Sequence, residues 1–350
     1  MDRYIGLDAH SASCTLAVVG QSGKRLQSQV VETNGKALVD FIHTIPGDKH
    51  LCLEECTQAG WLHEILSPHV QEIVVIGVDK SRGPKSDKLD AFGMAEKLRI
   101  GAIETRVYKE AGEFRLLGQL SRAYATLVRD SVRVQNRIKF LYRSRGVTTY
   151  HKDVYALSLR NACLTNLPAE TRRRAEVLYL ELDALNDLRN GAEKEMLKEA
   201  KKHRVFHILT TCPGLGALRV AQLLPIVATP YRFASKRNFW AYIGLAVIMR
   251  SSSDWVRAAD GQWFRAKVAL TRGLNRNFNH TLKHIFKGAA STVIQCAKDE
   301  PLYRHYQQLL DGGTKPNLAK LTIARQIASI VLSMWRSGEE YDEKKLLKEK

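Results

Sequence analysis

The first hundred residues alternate between short apolar runs and amphipathic stretches. RYIGLDA (3–9) and CTLAVVG (14–20) each have strand length, and a Gln-Ser-Gly-Lys turn at 21–24 leads into a third run, RLQSQVVE. Asn34 stands where a helix cap belongs, ahead of the amphipathic KALVDFIHTI. HLCLEE (50–55) predicts a fourth strand, WLHEIL a helix and QEIVVIGV a fifth strand. Residues 86–99 predict a helix with Leu89, Phe92, Met94, Ala95 and Leu98 mostly on one side. Three strands followed by strict alternation, β-β-β-α-β-α-β-α, predict a mixed sheet with helices packed on it.

The pattern changes after residue 110. Residues 113–142 and 169–202 are long, charged and leucine-bearing, with few breakers. A stretch holding Gly146 and Pro168 separates them. Two antiparallel helices forming a coiled-coil-like hairpin fit this pattern. From 204 the chain again reads as compact and mainly helical. Pro213-Gly214-Leu215-Gly216 lies between two helical runs, as in a helix–hairpin–helix, where Gly214 and Gly216 would let backbone N–H groups approach a phosphate; a plain helix–helix turn is the competing reading. The expected organisation is therefore α/β plus all-α: a sheet domain (1–110), a helical hairpin (111–203), a C-terminal domain (204–338) and a charged tail (339–350).

Charge sharpens this division. Residues 1–110 hold 13 Lys/Arg and 15 Asp/Glu, whereas the remainder holds 41 and 21. A near-neutral front and a strongly basic back suit a polyphosphate partner. No stretch approaches 18 consecutive apolar residues, so no membrane span is expected. The first residues read as a strand rather than a leader. The six cysteines form no CxxC pair, so they give no support to a zinc ribbon and predict reduced thiols in a cytosolic protein.

The acidic residues of the front domain are placed unusually. Asp8 ends the first strand, Glu54 and Glu55 end the fourth, and Asp87 and Asp90 open the last helix. In a sheet of this order the first and fourth strands are expected to be neighbours, with the final helix beside them. Four carboxylates would then meet, and they cannot all stay ionised without a counter-charge. A pair of Mg²⁺ or Mn²⁺ ions suits such hard oxygen donors, and two metals form a standard clamp for displacement at a phosphodiester. Adjacent strand residues face opposite sides, so only one of Glu54 and Glu55 can point at the metals. Taken singly, Asp87 fits a helix N-cap and Asp8 turn chemistry. Lys85 and Lys88 flank the acids and suit either a phosphate contact or simple charge balance. His10 suits proton transfer, but is read more simply as a polar residue at a strand end.

The ordered set IGLDAH, LCLEE, KSDKLDA, CPGLG and AYIGLAVIMRSSSDW resembles the DEDD transposases of one insertion-sequence group, the recombinases guided by a bridge RNA. The resemblance covers nearly the whole chain. It implies a front domain of the ribonuclease-H superfamily, similar to RuvC, a coiled coil used in assembly, and a back domain with a catalytic serine. It assigns the metal-binding acids to Asp8, Glu54, Asp87 and Asp90, with Glu55 as the alternate second acid. The family's Gly-Leu step followed by Ser-Gly is altered here. Gly244-Leu245-Ala246-Val247 lacks a proline, and Ser251-Ser252-Ser253 lacks the glycine. Ser252 takes the nucleophile's place, with Ser251 and Ser253 as alternates. The resemblance further implies DNA transesterification, a structured guide RNA, assembly as a dimer or tetramer in which serine and acids come from different protomers, and a nucleoid-associated, cytoplasmic bacterial setting.

Arg250, Arg257 and Arg265 bracket the serine segment, and with Lys267 are expected to meet phosphate. Trp240, Trp255, Trp263 and Phe264 surround it and are expected in the core, ahead of base stacking. The i, i+4 pair His280 and His284 lacks acidic neighbours and is not read as a zinc site. Two readings of other kinds also fit the residues: a metal-dependent resolvase that cuts with water, and a non-catalytic nucleic-acid scaffold.

Overall fold

The computed structural model describes residues 1–77, 86–103, 106–107, 112–148, 153–250, 255–265 and 271–344. Within it the chain forms two compact units, Met1–Glu110 and Ala111–Lys350.

The first unit contains β1 (Asp2–Ala9), β2 (Ser13–Gly20), β3 (Arg25–Glu32), α1 (Gly35–Thr44), β4 (Asp48–Glu54), α2 (Ala59–Leu66), β5 (Glu72–Ile76) and α3 (Asp87–Arg99). The strands form one mixed sheet in the order β3-β2-β1-β4-β5. β1 pairs antiparallel with β2 and parallel with β4, Leu7 standing opposite Leu53. The first and fourth strands are thus neighbours, as the sequence pattern requires, and the sheet is consistent with a RuvC-like domain.

Period-2 alternation assigns the two faces. Ile5, Leu7, Leu16, Val18, Leu51 and Leu53 bury against Leu38, Phe41, Ile42, Leu62 and Leu66 of α1 and α2. The alternate residues Ala17, Val19, Cys52 and Val74 meet Ala91, Phe92, Met94, Ala95 and Leu98 of α3. Because helices cover both faces, β2 is buried along nearly its whole length and reads as an unbroken apolar run. β3 is one edge strand, and Val30 is exposed there. Asn34 caps α1, its side chain accepting from the N–H groups of Lys36 and Ala37. Leu89 departs from expectation: it is exposed, and Ala91 takes the inward position.

Gly6 explains why small residues line that side of α3. A Cβ built on it would lie 1.8 Å from the Ala91 carbonyl oxygen and 2.9 Å from the Ala95 nitrogen. The helix backbone therefore rests directly on β1, which only glycine at position 6 permits.

The second unit begins with α4 (Arg115–Arg143), α5 (Arg160–Thr165) and α6 (Ala169–Ala200). Arg137 meets Glu181, Arg145 meets Glu170, and the Tyr142 and Tyr179 hydroxyls lie 3.1 Å apart, so α4 and α6 run antiparallel. Arg160 on α5 locks this end. Its guanidinium donates two hydrogen bonds to Asp183, at 2.5 and 2.7 Å, and stacks over the Tyr179 ring.

Next come α7 (Arg204–Thr210), α8 (Ala217–Val227), α9 (Lys236–Tyr242), β6 (Val247–Arg250), β7 (Trp255–Arg257), β8 (Trp263–Arg265), β9 (Thr271–Leu274), α10 (His280–Cys296), α11 (Pro301–Asp311) and α12 (Pro316–Ser337). One core unites α7 to α12 with Phe114, Leu117 and Tyr124 from the start of the hairpin and Met196 and Ala200 from its end. The short strands form two separate ribbons, β6 with β9 and β7 with β8. Among the described residues no helix is long and apolar enough to cross a membrane.

Candidate active site

Asp8 is the penultimate residue of β1 and shares a parity with Gly6, so it projects on the α3 side of the sheet. Glu54 ends β4, one residue past the rung that pairs with Leu7, and shares a parity with Cys52, which packs against α3. Glu54 is half-buried, whereas Glu55 lies beyond the strand and is exposed, its N–H donating to the Ile76 carbonyl. The alternation therefore favours Glu54 as the acid on the α3 side.

α3 delivers the remaining acids. Ser86 is its N-cap, its hydroxyl accepting from the Leu89 N–H. Asp87 is therefore not the cap, which leaves its carboxylate available for other contacts. Asp87 and Asp90 both fall in the first turn, where the positive helix end favours negative charge.

The donor atoms of Asp8, His10 and Asp87 all lie within 4.8 Å of one another. His10 Nε2 is 3.5 Å from a carboxylate oxygen of Asp8 and 3.5 Å from one of Asp87. Glu54 and Asp90 lie outside that tight group, although the charge of Asp90 acts on Asp8. Partial burial pushes the Asp8 carboxyl above the usual carboxylate range. The charges of Asp87 and Asp90 push the same way, and His10 opposes them. Asp8 is the least exposed of the three, at 21% against 55% for His10 and 60% for Asp87. Hard oxygen donors crowded around Asp8 suit a divalent cation, which would relieve the repulsion there. His10 is the residue that sequence reasoning undervalued. It stands two residues after Asp8, and that spacing was the available signal.

The other expected residues divide. Lys88 is exposed on the first turn of α3. Lys85, Ser251, Ser252, Ser253 and Lys267 lie outside the described residues. Arg250 and Arg265 belong to β6 and β8, and Arg257 is exposed on β7. Gly214 has a positive φ of 80°, and a Cβ there would lie 2.4 Å from the Ala289 carbonyl oxygen of α10. Close packing thus accounts for this glycine without a phosphate. Gly216 precedes α8 and faces open space. His280 and His284 are both exposed on α10.

The aromatic residues require a correction. Trp240 does pack against the core, its indole N–H donating to the Arg325 carbonyl and the Ser329 hydroxyl. Trp255, Trp263 and Phe264 do not, and all three are exposed. They lie on a two-stranded ribbon that leaves each of them more than half exposed, so the core expectation fails there.

Comparison with known proteins finds two matching segments in the chain. Residues 5–143 match the family model DEDD_Tnp_IS110, a transposase model, and residues 206–307 match the model of the transposase IS116/IS110/IS902 family. The chain belongs to the IS110-type DEDD transposases.

Two curated relatives agree. The "Insertion element IS110 uncharacterized 43.6 kDa protein" of Streptomyces coelicolor is 26% identical over 162 residues, 46% of this chain and 36% of that protein. The "Putative transposase y4pF/y4sB" of Sinorhizobium fredii is 24% identical over 319 residues, 87% of this chain and 77% of that protein. The aligned region thus spans little more than a third of the Streptomyces relative's length.

Proposed function

We propose that this protein is the DNA recombinase of an insertion sequence, cutting and rejoining strands by serine transesterification at a site that also uses Asp8, Glu54, Asp87 and Asp90. The observation that carries this reading is the meeting of Asp8 and Asp87, residues from opposite ends of the first unit, beside Asp90 and on the face to which Glu54 points. Membership of the DEDD transposases supports it independently.

In this reading the four carboxylates hold divalent metal, Mg²⁺ or Mn²⁺. Bound there, the metal supplies Lewis acidity toward a phosphodiester oxygen. The chain's own residues do the rest. The Ser252 oxygen attacks phosphorus, the bond to the 3′ oxygen breaks, and the serine proton is balanced by the proton gained by the departing 3′ hydroxyl. His10 Nε2, 3.5 Å from a carboxylate oxygen of Asp8 and of Asp87, orients these two acids. Lys88 and Arg257 hold phosphates, together with Lys85, Arg250, Arg265 and Lys267. Gly216 leaves the start of α8 open to a backbone phosphate.

Guidance by a structured RNA and assembly into a dimer or tetramer complete the proposal. The excess of 41 Lys/Arg over 21 Asp/Glu beyond residue 110 suits holding nucleic-acid backbones. A coiled-coil role for the hairpin draws support from α6, where Val177, Leu180 and Leu188 are exposed at helical spacing along one stripe.

The test is recombination between element ends on a plasmid. Asp8→Asn, Glu54→Gln and Asp87→Asn each abolish it, while Glu55→Gln leaves it within about threefold of wild type. Full activity in Asp8→Asn would remove the proposal.

A further inference from the structure

β7 and β8 form an antiparallel ribbon with Trp255 opposite Arg265, Val256 opposite Phe264 and Arg257 opposite Trp263. The turn between them is well tied. The Ala258 N–H donates to the Gln262 carbonyl, the Gly261 N–H to the Ala258 carbonyl and the Gln262 N–H to Asp260 Oδ1. Arg257 Nε donates to the Gly261 carbonyl at 3.3 Å.

This ordered ribbon keeps its large apolar side chains in water. Trp255 is 58% exposed, Trp263 61%, Phe264 51% and Val256 44%. None of them belongs to the cores described above. Among the described residues the ribbon pairs with no further strand; a two-stranded ribbon is marginal in water by itself, and a concentrated apolar patch marks an interaction surface.

The surrounding charge indicates the kind of partner. Residues 247–276 contain six Lys/Arg against two acids, Asp254 and Asp260. Alternation places Trp255, Arg257 and Trp263 on one face, with Val256 and Phe264 on the other. Aromatic rings interleaved with guanidinium, in a basic segment, suit a polyanion that also offers flat apolar surfaces. Duplex bases have their faces already stacked, whereas unpaired bases expose them.

We infer that the β7–β8 ribbon is a stacking platform for unpaired nucleobases, with Trp255 and Trp263 supplying ring faces and Arg257 a phosphate contact. This rests on the reading that the partner is nucleic acid, but not on the chemistry assigned to the acids or to Ser252.

The test uses the full-length protein and two fluorescent probes, a short oligothymidylate and a duplex of equal length. The double variant Trp255→Ala/Trp263→Ala loses at least about tenfold in oligothymidylate affinity. Its duplex affinity changes by less than about twofold. Trp255→Phe/Trp263→Phe, which keeps aromatic faces, binds within about threefold of wild type. Arg257→Ala weakens both probes and lowers the salt slope by about one.

Unchanged oligothymidylate binding by the alanine pair overturns the inference and leaves the proposed function standing. Equal loss on both probes also overturns it, as does a smaller assembly by sedimentation with binding unchanged, which would mark the ribbon as a subunit contact. If wild type binds neither probe, the inference and the nucleic-acid reading fall together.

Discussion

Gly6 lies directly under Ala91: a Cβ at position 6 would stand 1.8 Å from the Ala91 carbonyl oxygen. That approach sets the height of α3 above the sheet, and with it the distance from Asp87 to Asp8. Gly6→Ala is therefore expected to do two things. It destabilises the protein by about 1–3 kcal/mol, as overpacking does. It also reduces recombination more than the stability loss explains, because it lifts the acids of α3 away from Asp8. Denaturant unfolding and a plasmid recombination assay check the two effects separately.

Asp8 carries a pH dependence with a definite sign. Its carboxyl is held above the ordinary range by burial, with Asp87 and Asp90 adding to the effect. The folded state thus binds this proton more tightly than the unfolded state does. The contribution is fully favourable below the ordinary carboxylate pKa and is lost as pH rises through the raised one. Asp8→Asn removes the charge that the fold resists. The metal-free variant is expected to match or exceed wild-type thermal stability at neutral pH, with the difference vanishing in acid. Adding Mn²⁺ or Mg²⁺ raises the melting temperature of wild type and not of the variant.

Arg160 and Asp183 clamp the far end of the helical hairpin. The guanidinium is nearly buried, its side chain 10% exposed. Asp183→Ala leaves that charge without its bidentate partner, at a cost of about 3 kcal/mol. Arg160→Met, which removes the charge and keeps the bulk, costs less. Denaturant unfolding of the two variants gives the order.

Gly214 separates a packing role from a phosphate role. Gly214→Ala forces a Cβ onto the Ala289 carbonyl oxygen at a positive φ and is expected to destabilise the second unit. The salt dependence of DNA binding should stay unchanged in the protein that still folds. A reduced salt slope would instead show a lost phosphate contact.

Much of the first unit was readable because period and burial agree. β1, β2 and β4 are covered on both faces and appear as apolar runs, and the order of elements makes β1 and β4 neighbours. The same alternation separates Glu54 from Glu55. Other features had weaker signals. The Arg160–Asp183 clamp joins residues 23 apart through side chains alone, which no periodicity marks. His10 was seen but undervalued, since a histidine at a strand end looks ordinary until Asp87 arrives from α3. The Trp255, Trp263 and Phe264 cluster was misread because aromatic content usually signals a core. Three-residue strands give alternation too little length to reveal which side chains stay exposed.

Ser252 and the acids, in the proposed function, act together on a phosphodiester. The most direct measurement of this is the trapping of a denaturation-resistant protein–DNA adduct. The wild-type protein is incubated with divalent metal, DNA carrying the element's ends and RNA transcribed from its flank. The expected adduct disappears in Ser252→Ala and in Asp8→Asn and persists in Ser251→Ala. DNA cut by wild type without any adduct, or an adduct that survives in Ser252→Ala, would contradict it.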